Sequence, residues 1–313
     1  MITGLVTVLA MGCAFLAGIA GLFDIATSGG RRTGYGFAVI GAAAPFFLVL
    51  GLFYVPTLGG VQHTAYRMTC GTNLSRIGKA MLIYANDYGD ELPLAGERGT
   101  AWGSGLNDWT AANRSEAFGL DPKNAGGQAT IGSSLYLLVR YRGLAPKTFV
   151  CDGDRGTRPF DPNEHHTTDD KGLATHWDFG RDPAEHCSYS YHMPYGPHRL
   201  TTASEPGMAI AADRNPWFDG PRWKASDFSK FQWNGTTRQQ RAGNAVAHWL
   251  DGQNVLFLDS HTGFVKRSLC GIGDDNIYTL WDGADKVQGI PAQFGSTPAN
   301  VFDSLLVNDP VAP

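Results

Sequence analysis

The sequence predicts an α+β chain: a two-helix transmembrane hairpin over residues 1–62, then a domain over 63–313 in which one helix packs on an antiparallel β-sheet with long loops. Three observations predict it. Two uncharged apolar runs, Ile2–Phe23 and Thr33–Gln62, open the chain. Leu74, Ile77, Met81 and Tyr84 then recur at three- and four-residue spacing, the stripe of an amphipathic helix. Short apolar segments punctuated by Gly, Pro and Asp fill the C-terminal half, as strands and turns do.

The first run matches the roughly 20 apolar residues that cross a bilayer, and the second exceeds them. Both are rich in Gly and Ala, residues that let membrane helices approach closely. A cleaved secretory signal is the other reading of the first run. Against it, no basic segment precedes the run and no small-residue cleavage site leads into a polar start. Arg31 and Arg32 lie between the runs, and the positive-inside bias places that loop in the cytoplasm. The expected address is a bacterial inner (cytoplasmic) membrane, with the C-terminal domain extracytoplasmic, facing the periplasm or outside, and membrane lipid as one partner.

Pro56 and the Gly59-Gly60 pair mark a bend before the next helix, His63 to Tyr88, which carries Arg76 and Lys79 on its polar face. Gly89 and Pro93 end it. A shorter helix is expected from Ser133 to Tyr141, where Leu135, Leu138 and Val139 share a face. Residues 152–185 are polar and Pro-punctuated and read as a long irregular loop. Strands are expected near Ser188–His192, Met208–Ala212, Asn254–Leu258 and Gly263–Lys266. The last two flank a turn at Asp259-Ser260-His261-Thr262.

A net charge of −4 gives no reason to expect nucleic acid as a partner. Charged residues at 17% and 40 glycines fit a loop-rich domain attached to an apolar segment. Cys13 lies in the first run. Cys70, Cys151, Cys187 and Cys270 allow three pairings, or remain buried thiols.

In extended chain Asp259 and His261 point to one face. With His248 across the hairpin they form a candidate site for a divalent transition metal. The competing reading is a turn in which Asp259 bonds the backbone and no cofactor is needed. His165, His166, His176, His186, His192 and His198 cluster near Glu164, Asp169, Asp170, Asp178 and Glu185, but without a recognised ligand spacing. No catalytic residue is assigned, because neither a nucleophile elbow nor a phosphate-cradling loop occurs. Trp102, Trp109, Trp217, Trp223 and Trp233 serve either a glycan-stacking surface or a β-rich core.

Several segments in order resemble one bacterial family. Cys70, Asn73, Leu74, Ile77 and Gly78, followed by Tyr84 to Gly89, resemble its helix ending C-x-x-N-L-x-x-I-G and Y-x-x-x-x-G. Phe149 to Asp154, with Cys151 and Asp154, resembles F-x-C-P-S-D. Ser188–Tyr191 and Ala212–Pro216, with Asp213, resemble two strand signatures. His248, Gly252, Asn254, Asp259 and His261 resemble the terminal motif. The family is that of pseudopilin-like (type II secretion protein G-like) proteins with a C-terminal H-X9-DG, or prepilin-processing-associated, domain. Ten residues separate His248 from Asp259, Ser260 stands where the family has Gly, and Gly41 stands where pilins carry Glu after a Gly-Phe junction such as Gly36-Phe37.

The resemblance implies a pilin-like helix on a sheet. It also implies a membrane-anchored, non-enzymatic envelope protein with a structural or interaction role in surface or secretion-type assemblies. Other pseudopilin-like or envelope proteins are its implied partners. By analogy with calcium-binding pseudopilins, Asp274-Asp275-Asn276 is a candidate acidic loop. The alternatives are a metal-dependent envelope enzyme using His248, Asp259 and His261, and a glycan-binding module.

Overall fold

The computed structural model describes residues 2–123, 125–165 and 172–311, with backbone alone over 2–11, 48–59 and at 165. The chain divides into two units, Met1–Thr64 and Ala65–Pro313.

The first unit contains helix α1 (Ile2–Thr27) and the start of helix α2 (Tyr35–Asp87). Helical residues continue through Pro56, Gly59 and Gly60, so the expected bend does not break the helix. The small residues form the seam between the two helices. A Cβ on Gly18 would lie 2.4 Å from the Ala42 backbone nitrogen. Among the described residues, no helix is long and apolar enough to cross a membrane. This corrects the expected transmembrane hairpin over 1–62, and with it the expected inner-membrane address. The physical reason lies in the extent of the runs. From His63 onward α2 carries Arg67, Arg76 and Lys79, so its apolar run stops where these charges begin. An uncharged run rich in Gly and Ala is also what two helices need in order to pack on each other.

The second unit is built on the later part of α2. Leu74, Ile77 and Met81 are fully buried and Tyr84 nearly so, which places the amphipathic stripe in the core. Small two-residue strands β1 (Ala101–Trp102) and β2 (Gln128–Ala129) pair in parallel around the short helix α3 (Arg114–Phe118). Helix α4 (Ile131–Arg142) follows. Thr130 caps its start by accepting from Ser133 N, and Gly143 in the left-handed region closes its end.

The central sheet is antiparallel, in the order β6-β5-β4-β3-β9. Its strands are β3 (Tyr189–His192), β4 (Ala209–Asp213), β5 (Gln253–Phe257), β6 (Thr262–Val265) and β9 (Leu306–Val307). Strand β5 alternates cleanly. Leu256 joins the core that holds the α2 and α4 stripes, while Val255 and Phe257 pack on the opposite face with Ile277, Tyr278 and Leu306. Both faces are therefore covered. Ile277 and Tyr278 supply the second cover, and β7 (Thr279–Asp282) and β8 (Asp285–Pro291) form a separate hairpin.

Residues 152–185 form an irregular excursion with short 3-10 turns, yet they send Trp177, Asp178 and Phe179 into the core. Gly78 lets the helix lie close against the sheet. A Cβ there would meet Leu256 Cδ1 at 2.7 Å.

Candidate functional site

Six of the motif residues, Cys70, Asn73, Cys151, Asp213, His248 and Asn254, converge on one buried cluster between α2, the loop after α4, and strands β4 and β5. The cluster begins with a disulfide. Cys70 on α2 is bonded to Cys151, which follows the 3-10 turn Pro146–Phe149. One helical turn on from Cys70, Asn73 Nδ2 donates to Val150 O at 3.1 Å and to Tyr189 Oη at 3.2 Å. The helix is thus held to the loop twice, once covalently and once by hydrogen bonds. Of the three pairings open to four cysteines, one bond forms. Cys187 and Cys270 stay as thiols, each pushed up to about 12 chiefly by burial.

Asp213, at the end of β4, is fully buried beside this disulfide. Its Oδ2 accepts from Asn254 N at 2.6 Å and from Asn254 Nδ2 at 3.0 Å. His248 Nε2 lies 3.0 Å from the same oxygen, 3.3 Å from Asn254 Nδ2 and 3.9 Å from Cys151 Sγ. The ligand-type atoms of Cys70, Cys151, Asp213 and His248 all lie within 4.8 Å of one another. The other carboxylate oxygen, Asp213 Oδ1, has no hydrogen-bond partner among the described residues.

Local chain geometry explains how His248 arrives there. It ends a 3-10 turn, and Trp249 and Leu250 follow in the left-handed region at φ 58° and 59°, reversing the chain. Gly252, at φ 152°, then starts β5 with no room for a side chain, since a Cβ would meet Val265 O at 2.2 Å.

Asp154 belongs to a neighbouring buried pair. Arg214 Nε donates to its Oδ2 at 2.9 Å and Trp223 Nε1 to its Oδ1 at 2.8 Å, with the Asp154 and Arg214 side chains fully enclosed. Arg214 Nη2 also donates to the carbonyls of Ala184 and Cys187, tying the irregular excursion to β4.

The proposed trio of metal ligands is not brought together. His248 sits with Asp213 at the start of β5, whereas Asp259 and His261 lie past its end, exposed at the hairpin turn. There Asp259 Oδ1 accepts from His261 N at 3.0 Å and lies 2.5 Å from His261 Nδ1. The backbone bond is the largest of the influences holding the Asp259 carboxyl below its usual range. This is the turn geometry that competed with a metal site in the sequence.

The histidine-rich stretch is also dispersed. His176 stacks on Trp109, His186 Nδ1 lies 3.0 Å from Arg158 O, and His192 Nε2 lies 3.3 Å from Asp303 O. His166, Asp169 and Asp170 lie outside the described residues, as does the His165 side chain. Of the acidic C-terminal loop, Asp274 is exposed while Asp275 and Asn276 are buried, so these side chains diverge and form no calcium cradle. Trp102 is buried against Phe218 and Phe294, Trp217 packs on Phe228, and Trp223 is held by Asp154. Trp233 alone of the five is exposed.

Sequence reasoning reached His248, Asp213, Asn254 and both cysteines only as separate motif pieces. It did not join Asp213 to His248, because nothing in their spacing reveals a side-by-side position. Comparison with known protein families, with characterised proteins and with solved structures finds no match for this chain.

Proposed function

We propose that this chain is a non-enzymatic, pilin-like structural or interaction protein that associates through its N-terminal helices with similar proteins. One contrast carries the reading. In the second unit the polar motif residues Asn73, Asp154, Asp213, His248 and Asn254 are all buried and spent on joining helix, loop and strands. In the first unit large apolar side chains face outward, with Phe37 85% exposed, Phe23 72% and Phe47 69%. Large apolar side chains exposed in this way favour binding of another molecule, since each Å² left in water costs about 25 cal/mol. The same helices already pack on one another through Gly18 and Ala42, so a partner helix of the same composition suits the seam.

Cys13 supplies a natural probe because it is an exposed thiol in that unit. Treating the full-length chain with a short bis-maleimide at low micromolar concentration is expected to give a covalent dimer. The dimer disappears in Cys13→Ser. A chain whose Cys13 takes a mono-maleimide quantitatively but yields no cross-linked species contradicts the proposal.

A further inference from the structure

We infer that the disulfide cluster is a redox-gated metal site: once Cys70 and Cys151 are reduced, the two thiolates, His248 Nε2 and Asp213 Oδ1 take one zinc-class divalent cation. The donor set is the first argument. Two thiolates, one imidazole and one carboxylate are a zinc-type combination. In a tetrahedral zinc site, ligand atoms stand roughly 3.3–3.8 Å apart, as follows from metal–ligand distances of about 2.0–2.3 Å. Here one ligand-type atom from each of the four residues lies within 4.8 Å of the others, with the Asp213 carboxylate set against His248 through Oδ2 at 3.0 Å, so small side-chain movements, including a turn of the carboxylate, close the shell.

The second argument is the carboxylate. Asp213 Oδ2 is already held by Asn254 through two hydrogen bonds, which fixes the plane of the group. Its Oδ1 is fully enclosed without a hydrogen-bond partner among the described residues, an arrangement that is costly for a carboxylate and is relieved by a cation. Asn254 Nδ2 also lies 3.3 Å from His248 Nε2, so the same amide borders both protein groups that complete the set.

The third argument is access. Cys70 and Cys151 are buried, but a surface cleft of about 440 Å³ is lined by the residues bracketing each of them. These are Thr69 on the N-terminal side of Cys70, and Val150 and Asp152 on either side of Cys151.

The chemistry balances with a dithiol as reductant. The dithiol gives two electrons and two protons, the Cys70–Cys151 bond breaks to two thiols, and the reductant becomes a cyclic disulfide. Binding of the divalent cation then releases the two thiol protons to solvent. A small-molecule disulfide takes the two electrons back: with two protons from solvent it leaves as two thiols, the Cys70–Cys151 bond re-forms and the metal is released, so disulfide and metal are alternative fastenings of α2 to the sheet. The site belongs to the second unit, whereas the proposed association uses the first. Metal uptake and association are read separately, so failure of one leaves the other standing.

The test is cobalt(II) titration of the full-length chain, after anaerobic reduction by a dithiol and its removal by gel filtration. The reduced chain is expected to bind one equivalent, with thiolate-to-cobalt charge-transfer absorption and tetrahedral d–d bands. The untreated, disulfide-bonded chain shows neither. Asp213→Asn is expected to weaken binding about 10–100-fold, and Cys151→Ser to abolish the charge-transfer pattern of two thiolates. Far-UV circular dichroism of each variant separates loss of ligand from loss of fold. The wild-type comparison of oxidised and reduced chain needs no variant. A reduced chain whose freed thiols are counted by Ellman titration, but which takes up no cobalt, overturns the inference. So does uptake that is unchanged by oxidation.

Discussion

Burial takes the Asp275 carboxyl out of water, and its pKa is pushed up to about 7 although Trp281 Nε1 and Ser304 N both donate to it. The folded state therefore holds this proton across a range in which the unfolded chain, with a carboxyl near 3.8, has released it. Stability from this group is fully present below about pH 4 and is lost as pH rises through 7, on the order of 4 kcal/mol in all. His192 runs the other way. Burial lowers it to about 4, so its contribution is present above 6.5 and is lost as pH falls toward 4. Asp275→Asn isolates the first effect. Urea unfolding at pH 5 and pH 8 is expected to show a smaller loss of stability in the variant than in the wild type. An unchanged difference between the two pH values contradicts the assignment.

The β5–β6 hairpin shows what a single turn residue demands of an element. The strands pair from Gln253↔Val265 to Leu256↔Thr262, and the turn closes with Ser260 at φ 70°. Left-handed backbone is unfavourable for a residue with a Cβ, so glycine suits this position better than serine. Ser260→Gly is expected to stabilise the chain by roughly 0.5–1 kcal/mol, seen as a higher Tm in thermal unfolding; a lower Tm contradicts this.

Strands β3 to β6 and helix α4 were legible because each keeps one period long enough to read. Strand β9 was not, since it is only two residues long and is defined by pairing with β3. The disulfide, closing an 81-residue separation, was invisible among three possible pairings, although such a closure contributes about 4.5 kcal/mol in the chain-entropy account. The metal trio failed for a local reason. The left-handed pair Trp249 and Leu250 folds His248 back toward Asp213, away from the hairpin tip.

On the scale of the molecule, the same apolar composition was read correctly as helical and wrongly as membrane-spanning. Hydropathy reports which residues avoid water without saying whether lipid or another helix relieves them. Gly18 against Ala42 shows one helix already doing so, and the outward Phe23, Phe37 and Phe47 leave more such surface uncovered. In the second unit both faces of the sheet and the stripe of α2 are already packed. Association through the first unit is therefore the central claim. Light scattering coupled to gel filtration of the full-length chain measures it most directly. The expected result is a mass at least twice the 33.7 kDa of one chain, falling to that value in the double variant Phe37→Asp with Phe47→Asp. A single-chain mass for the wild type at tens of micromolar would contradict it.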